Sequence, residues 1–271
     1  MPQKAFRFGV VAGATEGGAQ WLATARRAEE LGYSTLLCPD NLNMPSPTAA
    51  LAAAAAVTTE LRVGSFVLAS PLRTARAAAW EAHSLTVVTG GRFELGLGTG
   101  RPEMRQQAEE LGLPYGSGQD RLDSVSETVD HVRRLDGDAH TPVMIAAGGP
   151  KARRLAGLKA DIVALAGSPL TTREETAEYV GEIRDAGARD VELAMNILVV
   201  GEEMPPWMRG FFGVDAETLV EHDSLAMLRG SADDMAAELQ RRRDELGVSY
   251  ISVNGAFLED FAPVVALLSG K

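Results

Sequence analysis

The stretch IAAGGPKARRLAGLKADIVALAG, residues 145 to 167, contains the residue types of an anion-binding turn. An apolar strand is predicted to end at Gly148 and Gly149, and a helix begins directly behind them. Three basic residues lie in the first turns of that helix: Lys151, Arg153 and Arg154. Positive side chains are unfavourable there, because the amino-terminal end of the helix dipole is already positive. A negative group bound at this end would explain their presence. Backbone N–H groups at a helix start hold a phosphate well. A plain turn followed by a Pro-initiated helix is the alternative interpretation.

Glycines and a carboxylate follow two other predicted strands. The segment GRFELGLGTGRPE, residues 91–103, has alternate glycines within and after a strand, which allow a ligand or another backbone to come close. Small inward side chains in a tightly packed barrel strand would give the same pattern. Asp40 and Asn41 follow the second predicted strand, where an acid either serves a site or caps the next helix. The four histidines show no metal-ligand spacing, and we expect no structural metal.

The composition limits the class of protein. The chain has 271 residues and a formal net charge of −11, which argues against general binding to nucleic acid or to an anionic membrane surface. No apolar run approaches the roughly 20 residues that span a bilayer, and the first residues lack the layout of a signal peptide. A single cysteine, Cys38, allows no internal disulfide and fits a reducing compartment. We therefore expect a cytoplasmic protein.

Apolar strands alternate with amphipathic helices along the whole chain. The predicted strands are 6–12, 35–38, 61–68, 93–98, 143–147, 162–166, 191–199 and 250–253. The predicted helices are 18–31, 47–58, 73–89, 119–135, 150–159, 172–186, 231–246 and 256–269. Eight strands, each followed by a helix, predict an α/β protein of the (β/α)8 barrel type. A doubly wound sheet would need an early GxGxxG turn, which the chain lacks. We expect one barrel domain over residues 1–271, with its chemistry at the carboxyl ends of the strands.

Three blocks of the sequence resemble a known superfamily. The block from SPTAALAAAAAV to FELGLGTG, residues 46–100, resembles the second to fourth βα units of the luciferase-like monooxygenases. AAGGPKARRLAGLKADIVALAG and LGVSYISVNGAFLEDFAPVVALL resemble later units of the same superfamily. The pattern is closest to the members that use coenzyme F420, a deazaflavin. The resemblance implies a bacterial luciferase-like barrel, coenzyme F420 as the cofactor with FMN as the alternative, and a small-molecule substrate. It also implies a homodimer built on the second and third helices.

The resemblance implies which residues contact the cofactor. In the deazaflavin-dependent members the aspartate after the second strand touches the cofactor, and this position is Asp40. A non-prolyl cis peptide bond at the end of the third strand backs the deazaflavin ring, and it falls on Phe66 and Val67. The remaining contacts fall on the turn after the fourth strand and on the phosphate-binding turn after the fifth: Thr99, Gly100, Met104, Gly148, Gly149 and Lys151.

The chain differs from the sugar-phosphate dehydrogenases of this superfamily at the positions of their general acid and general base. Their histidine after the aspartate is Asn41 here, their glutamate after the fourth strand is Arg101, and their nearby tryptophan is Pro45. We take Asn41 and Arg101 as the candidate catalytic residues. An amide can orient a substrate, and a guanidinium can clamp a carboxylate or stabilise developing enolate charge.

The resemblance and these residues together predict an oxidoreductase that transfers a hydride between C5 of the deazaflavin and a small organic substrate. With an arginine in place of the carboxylate, reduction of a C=C or C=N bond conjugated to an anionic group is the favoured reaction. Two alternatives stay open. One is an FMN-dependent luciferase-like monooxygenase, because the fold is shared. The other is a non-catalytic cofactor-binding protein, because the usual acid and base are missing.

Overall fold

The computed structural model describes residues 3–187 and 190–271 as a closed barrel of parallel strands surrounded by helices. The strands are β1 (Arg7–Val11), β2 (Thr35–Cys38), β3 (Arg62–Ser65), β4 (Leu68–Ala69), β5 (Phe93–Gly98), β6 (Val143–Ala147), β7 (Ile162–Leu165), β8 (Glu192–Ile197), β9 (Val199–Val200), β10 (Met227–Leu228) and β11 (Val248–Asn254). The helices are α1 (Gly18–Glu30), α2 (Pro47–Ala56), α3 (Ala75–Val88), α4 (Met104–Glu110), α5 (Gly118–Asp136), α6 (Pro150–Lys159), α7 (Arg173–Ala186), α8 (Pro206–Phe212), α9 (Ala216–Glu221), α10 (Ala232–Leu246) and α11 (Ala262–Leu268).

The strand pairing confirms the predicted (β/α)8 barrel. The sheet runs in the order β3-β2-β1-β11-β8-β7-β6-β5-β4, and a further pairing of β3 with β5 closes it. β3 and β4 together form the third barrel strand, and β5, β6, β7, β8 and β11 are the fourth to the eighth. β9 and β10 pair with each other in a separate two-stranded sheet. Across the described part of the chain, no helix is long and apolar enough to cross a membrane.

Two predicted strands and the last predicted helix are interrupted. The predicted strand 61–68 is divided by a cis peptide bond into β3 and β4, and the predicted strand 191–199 breaks after Ile197 into β8 and β9. In the predicted helix 256–269 only α11 is α-helical, and a 3-10 turn over Gly255–Phe257 precedes it. Pro263 fits only the first turn of a helix, so the α-helix starts just before it.

Two segments for which the sequence predicts neither a strand nor a helix contain short helices. α4 lies in the segment after the fourth barrel strand, and α8 and α9 lie in the segment after the seventh. Each has six or seven residues, which is too short for a helical period to stand out in the sequence. Met208 and Leu219 are fully buried, so α8 and α9 pack onto the core.

Paired charges close the amino-terminal end of the barrel. Arg7 donates to Glu94 at 2.6 Å and to Glu192 at 2.7 Å, and its guanidinium lies 3.7 Å from the ring centre of Tyr250. Arg62 donates to the same Glu94 carboxylate at 2.6 Å. Because these side chains come from five barrel strands, they lie inside the barrel and fill its lower end. A site for a ligand is therefore left to the opposite, carboxyl end.

A second ion-pair network holds α7 against α10. Glu238 on α10 accepts from Arg242 at 2.7 Å and from Arg173 of α7 at 2.8 Å. Arg242 is buried and also donates to the carbonyl oxygens of Leu225 and Met227. Burial alone would raise the pKa of Glu238, but these hydrogen bonds and charges outweigh it and lower the pKa to about 2.

We expect the Glu238 network to lose its contribution to stability in acid. Because the folded pKa is about 2 and the ordinary value is 4.5, the contribution is complete above pH 4.5 and is lost as the pH falls towards 2. Glu238→Gln should therefore lower the free energy of unfolding at pH 7 by about 2–4 kcal/mol, and by much less at pH 3. Urea denaturation at both pH values measures this. The control Glu127→Gln, at an exposed position of α5, should change neither value. An equal loss at both pH values would contradict the prediction.

Candidate active site

The third and fourth barrel strands meet at the cis peptide bond. This bond joins Phe66 and Val67, which is the position that the resemblance implies. A Cβ on Gly96 would overlap the carbonyl oxygen of Ser65, and a Cβ on Gly98 would lie 2.6 Å from a methyl carbon of Val67. The alternate glycines of β5 therefore admit the neighbouring strand. Of the two interpretations of this pattern, close packing within the barrel explains Gly96 and Gly98.

Asp40 clamps the segment that follows the cis peptide bond. Its Oδ2 accepts from the N–H of Ala69 at 2.9 Å and from Arg73 at 2.7 Å, and its Oδ1 accepts from Arg73 at 3.0 Å. The Asp40 side chain is only 4% exposed. Arg73 lies 3.7 Å from Glu81, which accepts a hydrogen bond from Thr48. Both oxygens of Asp40 thus have partners within the protein, which gives this residue a positioning role at the barrel mouth.

The turn after the fourth barrel strand is held from beneath by an aromatic residue. Tyr115 is buried, and its hydroxyl donates to the carbonyl oxygen of Arg101 at 3.0 Å. The guanidinium of Arg121 lies 4.1 Å from the Tyr115 ring centre, and its Nε donates to the carbonyl oxygen of Thr99 at 2.8 Å. Met104 packs against Tyr115 in a small apolar cluster. The Arg101 side chain itself is exposed at the rim of the barrel.

Gly100 lies at the tightest point of this turn. Its φ angle is +74°, a backbone conformation that side chains other than glycine rarely adopt, and a Cβ there would lie 3.0 Å from Pro71. On the neighbouring loop Asn41 Oδ1 accepts from the N–H of Asn43 at 2.9 Å. The side chain of Gln107 accepts from the N–H of Leu42 and ties that loop to α4. Asn41 therefore lies on a loop that contacts α4, the helix directly after the Arg101 turn.

The glycine pair after the fifth barrel strand begins α6. Gly149 is the residue before the first helical turn, and a Cβ on it would meet no described atom within 4 Å. A Cβ on Gly148 would lie 2.8 Å from the carbonyl oxygen of Ala166. Lys151 is exposed, and its Nζ donates to Gln119 at the start of α5 at 3.0 Å. The open side of Gly149 and the backbone amides of the first turn fit a phosphate group.

The prediction that all three basic residues of α6 face an anion is wrong for Arg153. Its guanidinium is buried and lies 3.9 Å from the ring centre of Tyr179. It donates to Glu182 of α7 at 2.7 Å and to the carbonyl oxygen of Gly148 at 2.6 Å. Arg153 therefore holds the glycine turn from behind, because helix periodicity turns it towards α7. Lys151 and Arg154 are exposed.

Side-chain caps distinguish α6 from α5 and α7, the helices on either side of it, although among the described residues α1, α2 and α11 also begin without one. α5, α7 and α10 each begin with a capping box in which a serine or threonine pairs with an acidic residue: Ser117 with Asp120, Thr172 with Glu175, and Ser231 with Asp234. Over residues 3–187 and 190–271, no side chain caps the first turn of α6. The positive ends of the three capped helices therefore face their own carboxylates, and that of α6 does not.

One polar pair inside the seventh and eighth barrel strands, Asn196 and Ser252, was not predicted from the sequence. Ser252 donates to Asn196 Oδ1 at 2.9 Å, and the two residues are register partners on β11 and β8. Arg73, the partner of Asp40, was also missed. The one signal for Asn196 was an amide within the apolar run VELAMNILV, and nothing in the sequence says that it points inwards.

The site therefore consists of two groups of residues at one end of the barrel. Residues of the second, third and fourth barrel strands contact one another through Asp40, the cis peptide bond and the Arg101 turn. The glycine turn at Gly148 and Gly149 adjoins them, because a Cβ on Gly98 would approach both Val67 and Ala146 of the fifth strand. The predicted site residues all follow the carboxyl ends of these strands.

The sequence and the fold both match known proteins. Residues 5–205 match the family model of the luciferase-like monooxygenases. An F420-dependent glucose-6-phosphate dehydrogenase from Beutenbergia cavernae is 30% identical over 171 residues, which cover 52% of this chain and 50% of that protein. The chain spans about half the length of the curated relatives that it matches.

Two solved structures share the barrel at low sequence identity. An F420-dependent secondary alcohol dehydrogenase in complex with an F420–acetone adduct has a TM-score of 0.72 and 18% identity, with 96% of this chain and 98% of that chain covered. The oxygenating constituent of 3,6-diketocamphane monooxygenase from Pseudomonas putida, in complex with FMN, has a TM-score of 0.70 and 16% identity, with 97% and 95% covered. At these identities the likeness shows the fold alone.

We expect the hydrogen bonds of Asp40 to Ala69 and Arg73 to stabilise the folded protein. Asp40→Asn leaves the largely buried guanidinium of Arg73 with only the more distant Glu81 as a counter-charge and should lower the free energy of unfolding by about 3 kcal/mol. Urea denaturation at pH 7 measures this. Asp130→Asn removes an exposed ion pair with Lys159 and should change the value by less than about 1 kcal/mol. If Asp40→Asn keeps full stability and loses only cofactor affinity, Asp40 is a direct cofactor contact and the clamp is not its role.

Proposed function

The chain belongs to the luciferase-like monooxygenase family, and we propose that it acts as an F420-dependent oxidoreductase. It transfers a hydride between C5 of the deazaflavin and a small organic substrate, as a reductase of a conjugated C=C or C=N bond. The observation that supports this most directly is the uncapped start of α6 behind Gly148 and Gly149. This turn offers backbone amides and the positive end of a helix to a phosphate at the barrel mouth.

The charges around the turn favour the more acidic of the two candidate cofactors. The chain has a net charge of −11, yet two exposed basic side chains, Lys151 and Arg154, form a basic rim on the first turn of α6, directly behind the glycine pair. Coenzyme F420 carries a polyglutamate tail beyond its phosphate, and FMN ends at its phosphate. A basic rim therefore adds more to the binding of F420 than to that of FMN. The F420-dependent relative from Beutenbergia cavernae supports the same choice.

Each candidate residue then has a role that its position allows. The reduced deazaflavin supplies a hydride from C5 and reacts poorly with oxygen, because a carbon replaces N5 of a flavin. Phe66 and Val67 would back the ring, and the backbone amide of Lys151 would contact the phosphate. Asn41 orients the substrate, and Arg101 holds its anionic group. Tyr115 keeps its hydroxyl on the carbonyl oxygen of Arg101, so its role is to position the turn.

The second candidate function is an FMN-dependent monooxygenase. The FMN-bound monooxygenase from Pseudomonas putida covers 97% of this chain with a TM-score of 0.70, so the same barrel holds FMN in that protein. The third candidate is a non-catalytic cofactor-binding protein. Binding of F420 with no turnover on a broad panel of enones and imines would support it.

Titration of the purified protein with oxidised F420 and with FMN tests the proposal. We expect F420 to bind more tightly, because its tail meets the basic rim. Gly149→Val should weaken F420 binding at least tenfold and leave thermal stability near the wild-type value, because the position of its Cβ is free of protein atoms and faces the space for the phosphate. Gly181→Val, at an open position of α7, is the control. Equal or tighter binding of FMN, measured by fluorescence, would favour the second function.

Arg101 is expected to act on the substrate and not on the cofactor. A guanidinium stays protonated at any working pH, and it can hold a planar anion through two hydrogen bonds, which lysine does not reproduce. If Arg101 binds substrate and transition state equally, Arg101→Lys should raise KM and leave kcat nearly intact. If it stabilises enolate charge, kcat should fall roughly a hundredfold or more. Cofactor affinity should stay constant in both cases. Unchanged kinetics in Arg101→Ala would leave it only a role in shaping the loop.

We further propose that the chain forms a homodimer through α2 and α3. Trp80, Val87 and Val88 on α3 are 66%, 64% and 72% exposed. Small alanines over residues 49–56 would allow close helix approach on α2. His83 of α3 binds Asp136 of the same chain at 3.0 Å, which holds α3 against α5. Light scattering at micromolar concentration should give a dimeric mass, and Trp80→Glu should give a monomer. A monomeric wild-type protein would overturn the proposal.

A further inference from the structure

Asn196 is a polar side chain inside the upper end of the barrel. Alternation along β8 gives its direction: Glu192 points inwards to Arg7, so Ala194 and Asn196 point inwards as well. Asn196 is two positions nearer the carboxyl end than Ala194, which packs in the barrel interior. Asn196 is half-buried, so it belongs to the floor of the mouth.

Ser252 holds one end of the Asn196 amide. Its hydroxyl donates to Oδ1 at 2.9 Å, so the carbonyl end of the amide is occupied. Ser252 is itself only 4% exposed, and it lies on the neighbouring strand in register with Asn196. For Nδ2 the described residues provide no hydrogen-bond partner. The amide therefore offers its two N–H donors to whatever lies in the mouth.

The upper part of the barrel interior, towards which Asn196 points, is largely apolar. Val11, Phe66, Val67 and Ala146 pack on the barrel interior at this end. A hydrogen-bond donor in such a setting is worth more than one in water, and it discriminates strongly between ligands that accept its bond and those that do not. A single oriented amide is therefore suited to select a ligand by one acceptor atom.

The position of Asn196 in the ring of strands separates it from the cis peptide bond. The bond lies on the third barrel strand and Asn196 on the seventh, and these two strands are opposite each other in a closed ring of eight. A planar ring held against Phe66 and Val67 would have its other face towards the opposite side of the barrel, where the seventh strand lies. On the proposed function, a substrate that receives a hydride must lie on that other face.

We propose that Asn196 binds a carbonyl oxygen of the substrate through Nδ2, and that Ser252 is its positioning residue. The inference rests on the proposed function for the identity of the ligand as the substrate. It narrows the substrate to compounds whose reducible bond is conjugated to a carbonyl group. Arg101 at the rim and Asn196 at the floor then recognise two different oxygens, one anionic and one neutral.

The chain offers a direct spectroscopic test, because it contains only four asparagines, Asn41, Asn43, Asn196 and Asn254. Labelling with asparagine that carries 15N in its side chain gives four pairs of side-chain NH2 signals, and Asn196→Leu identifies the relevant pair. Cyclohex-2-en-1-one serves as the carbonyl probe, and cyclohexene provides the same ring without the oxygen. Each is titrated into the protein alone and into the protein with the cofactor that binds it.

The enone should shift the Asn196 signal, and cyclohexene should not. Asn196→Leu and Asn196→Asp should weaken enone binding about 3- to 10-fold, the effect of one neutral hydrogen bond, and change the cofactor Kd by less than about twofold. Ser252→Ala should weaken enone binding and move the Asn196 signal in the unliganded protein. Ser249→Ala, a buried serine three residues earlier on the same strand, is its control and should do neither.

Two outcomes would overturn the inference: an Asn196 signal that responds equally to both probes or to neither, or an equal loss of cofactor and enone affinity in Asn196→Leu. The second outcome would make Asn196 a cofactor contact. A shift of the Asn196 signal in a protein that binds neither F420 nor FMN would support the carbonyl site and refute the proposed function. The two failures are therefore distinguishable.

Discussion

The close approach of the third and fourth barrel strands is the constraint on which the mouth of this barrel depends. Val67 occupies the space that side chains at positions 96 and 98 of β5 would fill. This space is available because Gly96 and Gly98 have no Cβ. Larger residues there would overlap the backbone of Ser65 or the Val67 side chain and push the strands apart. Phe66 and Val67 can present an apolar surface to the mouth only because β5 has no side chains at Gly96 and Gly98.

A buried charge pair keeps that surface in place from the other side. Asp40 reaches from the end of the second strand to the N–H of Ala69 and to Arg73, just beyond the cis peptide bond. The same logic recurs at the lower end of the barrel, where Arg7 and Arg62 neutralise Glu94 and Glu192, and at Arg153 behind the glycine turn. Buried charges are costly unless they are paired, so each of them fixes the geometry of its surroundings.

These pairings distinguish two sets among the described basic residues of an acidic protein. The first set points inwards and donates hydrogen bonds to carboxylates or backbone carbonyl oxygens of neighbouring loops and helices: Arg73, Arg153 and Arg242. Arg101, Arg105, Lys151 and Arg154 are exposed around the mouth. Only the second set is placed to meet a ligand from solvent. The start of α6 is also available to a ligand, because no carboxylate of the described residues caps its positive end.

The sequence by itself determined the barrel, because alternation of apolar strands with amphipathic helices leaves few ways to bury both. It also located the turns of the mouth: every predicted site residue follows a strand at the carboxyl end, and the resemblance located the cis peptide bond at Phe66 and Val67. It did not detect α4, α8 or α9, because six or seven residues carry too little periodicity.

Only the tertiary structure decided which side chains face one another. Arg73 lies 33 residues after Asp40, and Ser252 lies 56 residues after Asn196, so no local pattern could pair them. The direction of Arg153 likewise depends on α7, whose Glu182 attracts it away from the mouth. Strand alternation and helix period restrict a side chain to a face, but the partner on that face comes from a distant element. The elements were therefore predictable, and the contacts that turn them into a site had to be observed.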